Sequence, residues 1–120
     1  MKKEKLRVIK DFHKLDEEIQ EQIKLVYPYG FNNHLIRFTD KEGKIVSALP
    51  FETDDKYYLV RMTATQARQL IEDDIDYDED GNLKDSVRDE YEDKHADVDY
   101  MSDYFNESDD DEDGDKDDDF

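Results

Sequence analysis

HLIRFTD at residues 34–40, IVSALPFET at 45–53 and YYLVRMT at 57–63 are three short runs rich in β-branched and aromatic residues. Such residues favour strands, and each run has the length of a strand. Short polar segments at 40–44 and 54–56 separate the runs, and Gly43 suits the positive φ that a hairpin loop requires. The sequence therefore predicts a three-stranded antiparallel meander.

The apolar residues of this meander are the candidates for the core: Leu35, Ile36, Phe38, Ile45, Val46, Leu49, Phe51, Tyr58, Val60 and Met62. Because side chains alternate along a strand, Ile36 and Phe38 are expected on one face. Pro50 has no N–H to donate to a neighbouring strand. We therefore expect the second strand to end or bulge at Pro50, or to face an edge there.

Segments on both sides of the meander predict two helices and an edge strand. A short β-branched run, Leu6–Ile9, is flanked by lysines, which is typical of an edge strand. Apolar residues recur at helical spacing before Pro28 and again after a Thr63–Gln66 capping box, where the second helix should end near Asp73. The prediction is an α+β fold over residues 1–75, with a small antiparallel three- to four-stranded sheet covered by two helices.

Residues 76–106 predict an acidic loop followed by a third, amphipathic helix. Its apolar stripe consists of Val87, Tyr91, Val98, Met101 and Phe105. Aromatic side chains among acids are suited to docking, so Tyr91, Val98, Met101 and Phe105 are predicted to contact a partner. Residues 107–120 are almost wholly acidic and are expected to be a disordered tail.

The charge is divided unequally along the chain, whose net charge is −19. Residues 1–63 carry 12 Lys/Arg against 11 Asp/Glu, whereas residues 64–120 carry 5 against 25. One interpretation is a solvated segment that keeps the protein soluble. The other is a non-enzymatic acidic adaptor, or nucleic-acid mimic, whose carboxylates bind a basic protein, for example one that itself binds nucleic acid. Direct binding of nucleic acid is disfavoured by the same charge.

The sequence DYDEDGNL at residues 76–83 matches the first eight positions of a helix-loop-helix calcium loop. Asp76, Asp78, Asp80 and Asn82 are the candidate metal ligands. Val87 stands at position 12, where calcium requires a bidentate glutamate, so any binding would be weak. The alternative is an acidic turn that matches the motif because the whole region is rich in aspartate.

Other classes of function find little support. The chain has no cysteine, no glycine-rich phosphate loop and no HExxH zinc motif, and its three histidines are scattered. Arg7 and Lys10 interrupt the apolar run that a signal peptide would need. We therefore expect a cytoplasmic protein without a catalytic site, a cofactor or a membrane partner.

Three segments resemble a known family: QIKLVYPYGF at 22–31, SALPFET at 47–53 and YYLVRMT at 57–63. The chain is similar over residues 5–100 to a family of small bacterial proteins with acidic C-termini, some of which carry the label DNA primase. The chain has no cysteine to bind zinc and is shorter than a primase catalytic domain. The resemblance therefore implies a single folded unit in a bacterial cytoplasm and assigns no catalytic residue.

Overall fold

The computed structural model describes residues 5–101. Four strands and three helices follow in the order β1 (Leu6–Asp11), α1 (Glu17–Val26), β2 (Ile36–Thr39), β3 (Ile45–Glu52), β4 (Lys56–Arg61), α2 (Ala64–Glu72) and α3 (Asp85–Lys94). Short 3₁₀ turns at Phe12–Lys14 and Asn32–His34 lead into α1 and β2. None of the helices in this part of the chain is long and apolar enough to cross a membrane.

The α+β fold and the meander are confirmed. The sheet order is β1-β4-β3-β2, and β3 pairs antiparallel with both β2 and β4. The sheet as a whole is mixed, however, because β1 pairs parallel with β4. The strand-helix-strand unit β1-α1-β2 explains this difference, since a helical crossover returns the chain so that the next strand runs in the original direction.

Local sequence signals set the helix ends. Both bonds of the predicted capping box form, with the Gln66 amide donating to the Thr63 hydroxyl and the Thr63 amide donating to the Gln66 side chain. α1 ends at Val26, two residues before Pro28, as predicted. The acidic residues Glu17 and Glu18 lie in its first turn, where the helix dipole favours negative charge.

Pro50 lies inside β3 rather than at its end, and it faces an edge there. Ile36 is the first residue of β2 and pairs with Ala48, so β2 has no residue opposite Pro50. The Pro50 carbonyl instead accepts a hydrogen bond from the Tyr27 hydroxyl at 2.6 Å. The missing N–H therefore leaves no ladder bond unmade between β2 and β3.

The core lies between one face of the sheet and the helices. Leu49, Phe51, Val60 and Met62 are at most 2% exposed and pack with Ile23 of α1. Two predicted core residues are exposed instead, Ile36 at 38% and Ile45 at 72%. Both lie at the first position of a strand, where the sheet no longer shields a side chain on both sides.

The core also extends past residue 75. Tyr77, Leu83 and Met101 are buried and belong to the same apolar cluster as the sheet residues. The boundary expected at residue 75 therefore divides side chains that pack together.

The third helix is shorter than the apolar stripe predicts. α3 ends at Lys94, residues 95–98 form a turn, and residues 99–101 are helical. The His95 amide donates to the carbonyl of Tyr91, and the Val98 amide donates to that of His95. Phe105 and the predicted tail 107–120 lie outside the described residues.

Candidate partner-binding surface

Residues 72–101, which we call the acidic segment, run from the end of α2 through α3 to Met101. They carry 14 Asp/Glu and 3 Lys/Arg. Because like charges repel, a segment of this composition needs specific contacts to pack against a domain. Two clusters of polar side chains on α1 provide those contacts.

The first cluster is centred on Lys24, a residue that the sequence pattern places on the polar side of α1. The Lys24 ammonium lies 2.6 Å from Asp74 Oδ2 and 2.8 Å from Asp76 Oδ2, and its side chain is 10% exposed. The Tyr91 hydroxyl donates a hydrogen bond of 2.7 Å to the same Asp76 oxygen. α1, the loop after α2, and α3 therefore meet at one partly buried carboxylate.

The pKa values in this cluster follow from the competition between burial and partners. Burial alone would raise the pKa of Asp76, but hydrogen bonds from Lys24 and Tyr91 outweigh it and hold that pKa below its usual range. Burial likewise opposes the charge of Lys24, but its hydrogen bonds to Asp74 and Asp76 give a net increase in its pKa. Burial, and then the hydrogen bond to Asp76, raises the pKa of the Tyr91 hydroxyl. All three groups keep their ordinary charge at neutral pH.

The second cluster is centred on Glu21, which is 5% exposed. Its Oε1 lies 2.9 Å from both the Lys94 ammonium and Nε2 of His95. The Nδ1 atom of His95 lies 3.4 Å from the Gln22 side-chain nitrogen, and Gln22 Oε1 accepts a hydrogen bond from the Tyr100 hydroxyl. A proton on Nε2 lets His95 donate to Glu21. These contacts hold the turn after α3 against α1.

Sequence reasoning did not identify these clusters. Glu21 and Lys24 lie three residues apart on α1, and this spacing is equally typical of a solvated helix face. Their partners are 50 or more residues away in sequence. No local pattern signals such a pairing, although a Glu and a Lys on the helix beside an acidic segment are the residues that could provide it.

The structure places three of the four predicted partner contacts against the protein itself. Met101 is 1% exposed and lies in the core cluster, while Tyr91 and Val98 are partly buried and pack on it. The stripe is amphipathic as predicted, but its apolar side covers the domain. Phe105, the fourth, lies outside the described residues.

Three of the four candidate metal ligands, Asp78, Asp80 and Asn82, lie on a tight loop, and Asp76 precedes it. Asp78 begins the loop and Asn82 ends it: the Asp78 amide donates to the Asn82 carbonyl at 2.8 Å, and Tyr77 and Leu83 form a bridge on either side. One carboxylate oxygen of Asp78 accepts from the amides of Asp80 and Asn82. Gly81 has a φ of 84°, so the loop requires a glycine at this position.

The hairpin between β2 and β3 has the same bonding pattern. In Asp40-Lys-Glu-Gly43-Lys44 the Asp40 amide donates to the Lys44 carbonyl, and the Asp40 carboxylate accepts from two loop amides. Gly43 also has a φ of 84°. The motif Asp-x-x-Gly-x therefore builds a hairpin turn at two places in this fold, and the first of them has no calcium-loop sequence.

The metal ligands do not converge in this arrangement. Asp76 is held by Lys24 and Tyr91, and Asp78 caps its own loop. Within residues 5–101 there is no group of three or more His, Cys, Asp or Glu side chains that could hold a metal ion. Calcium binding stays a prediction, and the loop has a structural role that does not depend on it.

The outward side of α3 carries the exposed carboxylates. Asp85, Asp89 and Asp93 are four residues apart and therefore about 6 Å apart along the helix, and Glu90 is exposed beside them. α3 has five acidic and two basic residues in ten, a net charge of −3, or one negative charge per about 5 Å of helix axis. This linear density is lower than the one charge per about 3.4 Å along a DNA strand, but it has the same sign.

Comparison with family models, with curated proteins and with solved structures gives no match. The family resemblance therefore remains an expectation, and a proposal of function must rest on the geometry alone.

Proposed function

We propose that the protein is a non-enzymatic acidic adaptor, or nucleic-acid mimic, that binds a basic protein partner. The observation that carries the proposal is the way the acidic segment is attached. Its apolar side chains pack into the core, and Lys24 forms ion pairs with Asp74 and Asp76. The carboxylates of α3 are thereby held on a fixed surface, which a freely moving acidic chain would not provide.

A fixed surface matters because binding then costs less conformational entropy. A disordered acidic chain must be ordered when it binds, whereas the side of α3 that bears Asp85, Asp89 and Asp93 is already helical. Exposed charges act mainly on the rate of encounter and are screened beyond about 8–10 Å at physiological salt. The proposal therefore predicts a partner with a basic surface and an association that weakens steeply with salt.

The test is capture of partners on immobilised protein at low and high salt, followed by identification and purification of the principal bound protein. A mimic of nucleic acid should compete with duplex DNA for that protein. The variant Asp85→Asn, Asp89→Asn, Asp93→Asn should slow association in proportion to the lost charge without lowering the melting temperature. If the purified partner binds this variant and the wild type equally, and DNA does not compete, the proposal is wrong.

A further inference from the structure

An open groove of about 630 Å³ lies where the turn after α1 meets the end of α2 and the loop at 78–81. We call it the Tyr29 groove. Two large apolar side chains on its walls are exposed to an unusual degree, Tyr29 at 70% and Ile75 at 82%. Neither side chain contributes to the core cluster. The fold therefore leaves an aromatic ring and a branched aliphatic side chain at the same groove.

Core residues and backbone hydrogen bonds form part of the wall of this groove. Ile71 and Tyr77, which line it, are 8% and 5% exposed and belong to the core. The Tyr77 hydroxyl donates to the Tyr27 carbonyl at 3.0 Å, and the Leu83 amide donates to the Pro28 carbonyl at 2.7 Å. These two bonds fix the loop to the turn that carries Tyr29. A ligand would therefore meet a largely preformed site.

The charge around the groove selects the kind of ligand. Glu72, Glu79 and Asp80 line it, and within residues 5–101 their side chains make no hydrogen bond or ion pair. α2 ends at Glu72, so the negative end of the helix dipole adds to the field. Among the described residues that line this groove, Arg68 is the single cation. If an apolar or acidic segment bound here, these carboxylates would lose hydrating water without gaining a compensating contact. A cationic segment would pair with them instead.

We propose that the Tyr29 groove binds an arginine-containing segment of the basic partner. A guanidinium stacks on an aromatic face and pairs with carboxylates through a planar fork of donors, so Tyr29 and the neighbouring acids offer it both contacts. The aliphatic part of the arginine side chain, or an adjacent apolar residue, packs on Ile75. This inference rests on the proposed function and names the chemistry that the partner must present.

The experiment uses the full chain and two short synthetic peptides in which glycine alternates with arginine or with lysine. Fluorescence anisotropy measures their affinities, and amide NMR shifts locate the contact. The groove variant is Glu72→Gln, Glu79→Gln, Asp80→Asn. Its matched control is Asp89→Asn, Glu90→Gln, Asp93→Asn, which removes the same number of negative charges from α3. A second groove variant, Tyr29→Ala, changes an exposed ring and leaves the charge unaltered.

The groove variant should weaken the arginine peptide about tenfold more than the α3 control does. The separate variant Tyr29→Ala should weaken binding of the arginine peptide about two- to fivefold, since a cation–π contact at an exposed site contributes about 0.5–1 kcal/mol. This second loss should persist at high salt and be smaller for the lysine peptide. Amide shifts should concentrate at residues 29–30 and 75–81.

Two results would overturn the inference, and they have different consequences. If both triple variants weaken the arginine peptide equally and Tyr29→Ala has no effect, binding is diffuse and the groove is not its site, while the adaptor proposal stands. If the wild-type protein binds neither peptide even at low salt, both the groove and the adaptor proposal fail.

Discussion

Replacing Met101 by alanine measures whether the acidic segment is part of the folded core. Met101 is 1% exposed and packs in the cluster that contains the sheet residues. Truncating a buried methionine to alanine costs about 2–5 kcal/mol, because apolar contacts are lost and a cavity is left. We expect a loss near the middle of that range, about 3 kcal/mol, since Met101 faces the core and solvent cannot fill the cavity that its truncation leaves. Domains of this size have a stability of about 5–15 kcal/mol, so the variant should still fold.

The assay is urea unfolding followed by circular dichroism. With a slope of about 1.5 kcal/mol per molar urea, the expected loss lowers the midpoint by about 2 M. Ile75→Ala is the control, because Ile75 lies in the same segment, is 82% exposed and should change stability by less than about 0.5 kcal/mol. A midpoint for Met101→Ala within error of the wild type would refute the assignment of residues 76–101 to the core and would restore Met101 as a partner contact.

Three further outcomes follow from the same contacts. Truncation after Asp74 should abolish the cooperative thermal transition, because it removes Tyr77 and the other core residues that follow; a sharp transition in the fragment would show that residues 1–74 fold alone. Asp76→Asn should reduce the free energy of unfolding at neutral pH and make that free energy less dependent on pH in the acid range. The folded-state pKa of Asp76 is depressed below 3.8, so the stabilisation by its carboxylate is present above that pH and is lost as the pH falls further. An unchanged dependence on acid pH in the variant would contradict this. Asp78→Ala should destabilise the 78–82 loop whether or not calcium is added, because the Asp78 carboxylate accepts two loop hydrogen bonds. In the wild type, calcium and magnesium should shift the NMR signal of the Gly81 amide alike; a shift specific to calcium would establish the metal site instead.

Much of the fold was predictable because its signals are local. The capping box at Thr63 needs only four residues, and the end of α1 follows from Pro28. The meander follows from short β-branched runs joined by turns, one of which depends on Gly43. In each case the residues that determine the structure are close together in the chain.

The direction of β1 and the burial of Glu21 and Lys24 depend on distant contacts instead. β1 pairs with a strand 50 residues later, and its orientation follows from how α1 crosses the sheet. Lys24 is buried only because Asp74 and Asp76 form ion pairs with it. Without those partners the same residue would be an ordinary solvated lysine.

The candidate site illustrates a different limit. Periodicity predicts that Tyr91, Val98 and Met101 share the stripe of one helix; α3 ends at Lys94, yet all three side chains pack in the same apolar cluster. Periodicity does not say what such a stripe packs against. A partner protein and the chain's own sheet bury the same kind of surface. Polar contacts favour the chain's own domain: the Tyr91 hydroxyl donates to Asp76, and His95 lies within hydrogen-bonding distance of Glu21.

Ion pairs decide which carboxylates remain for a partner. Lys24 and Lys94 pair with Asp74, Asp76 and Glu21, all of which lie where α1 meets the acidic segment. Repulsion is thereby relieved where the segment touches the domain, and the carboxylates on the outward side of α3 and around the Tyr29 groove keep their charge. Adding a cation on that outward side would relieve repulsion too, but it would weaken the field by which we propose that the protein attracts a basic partner. Under that proposal stability and binding place opposite demands on charge, and the fold meets them on opposite sides of one segment.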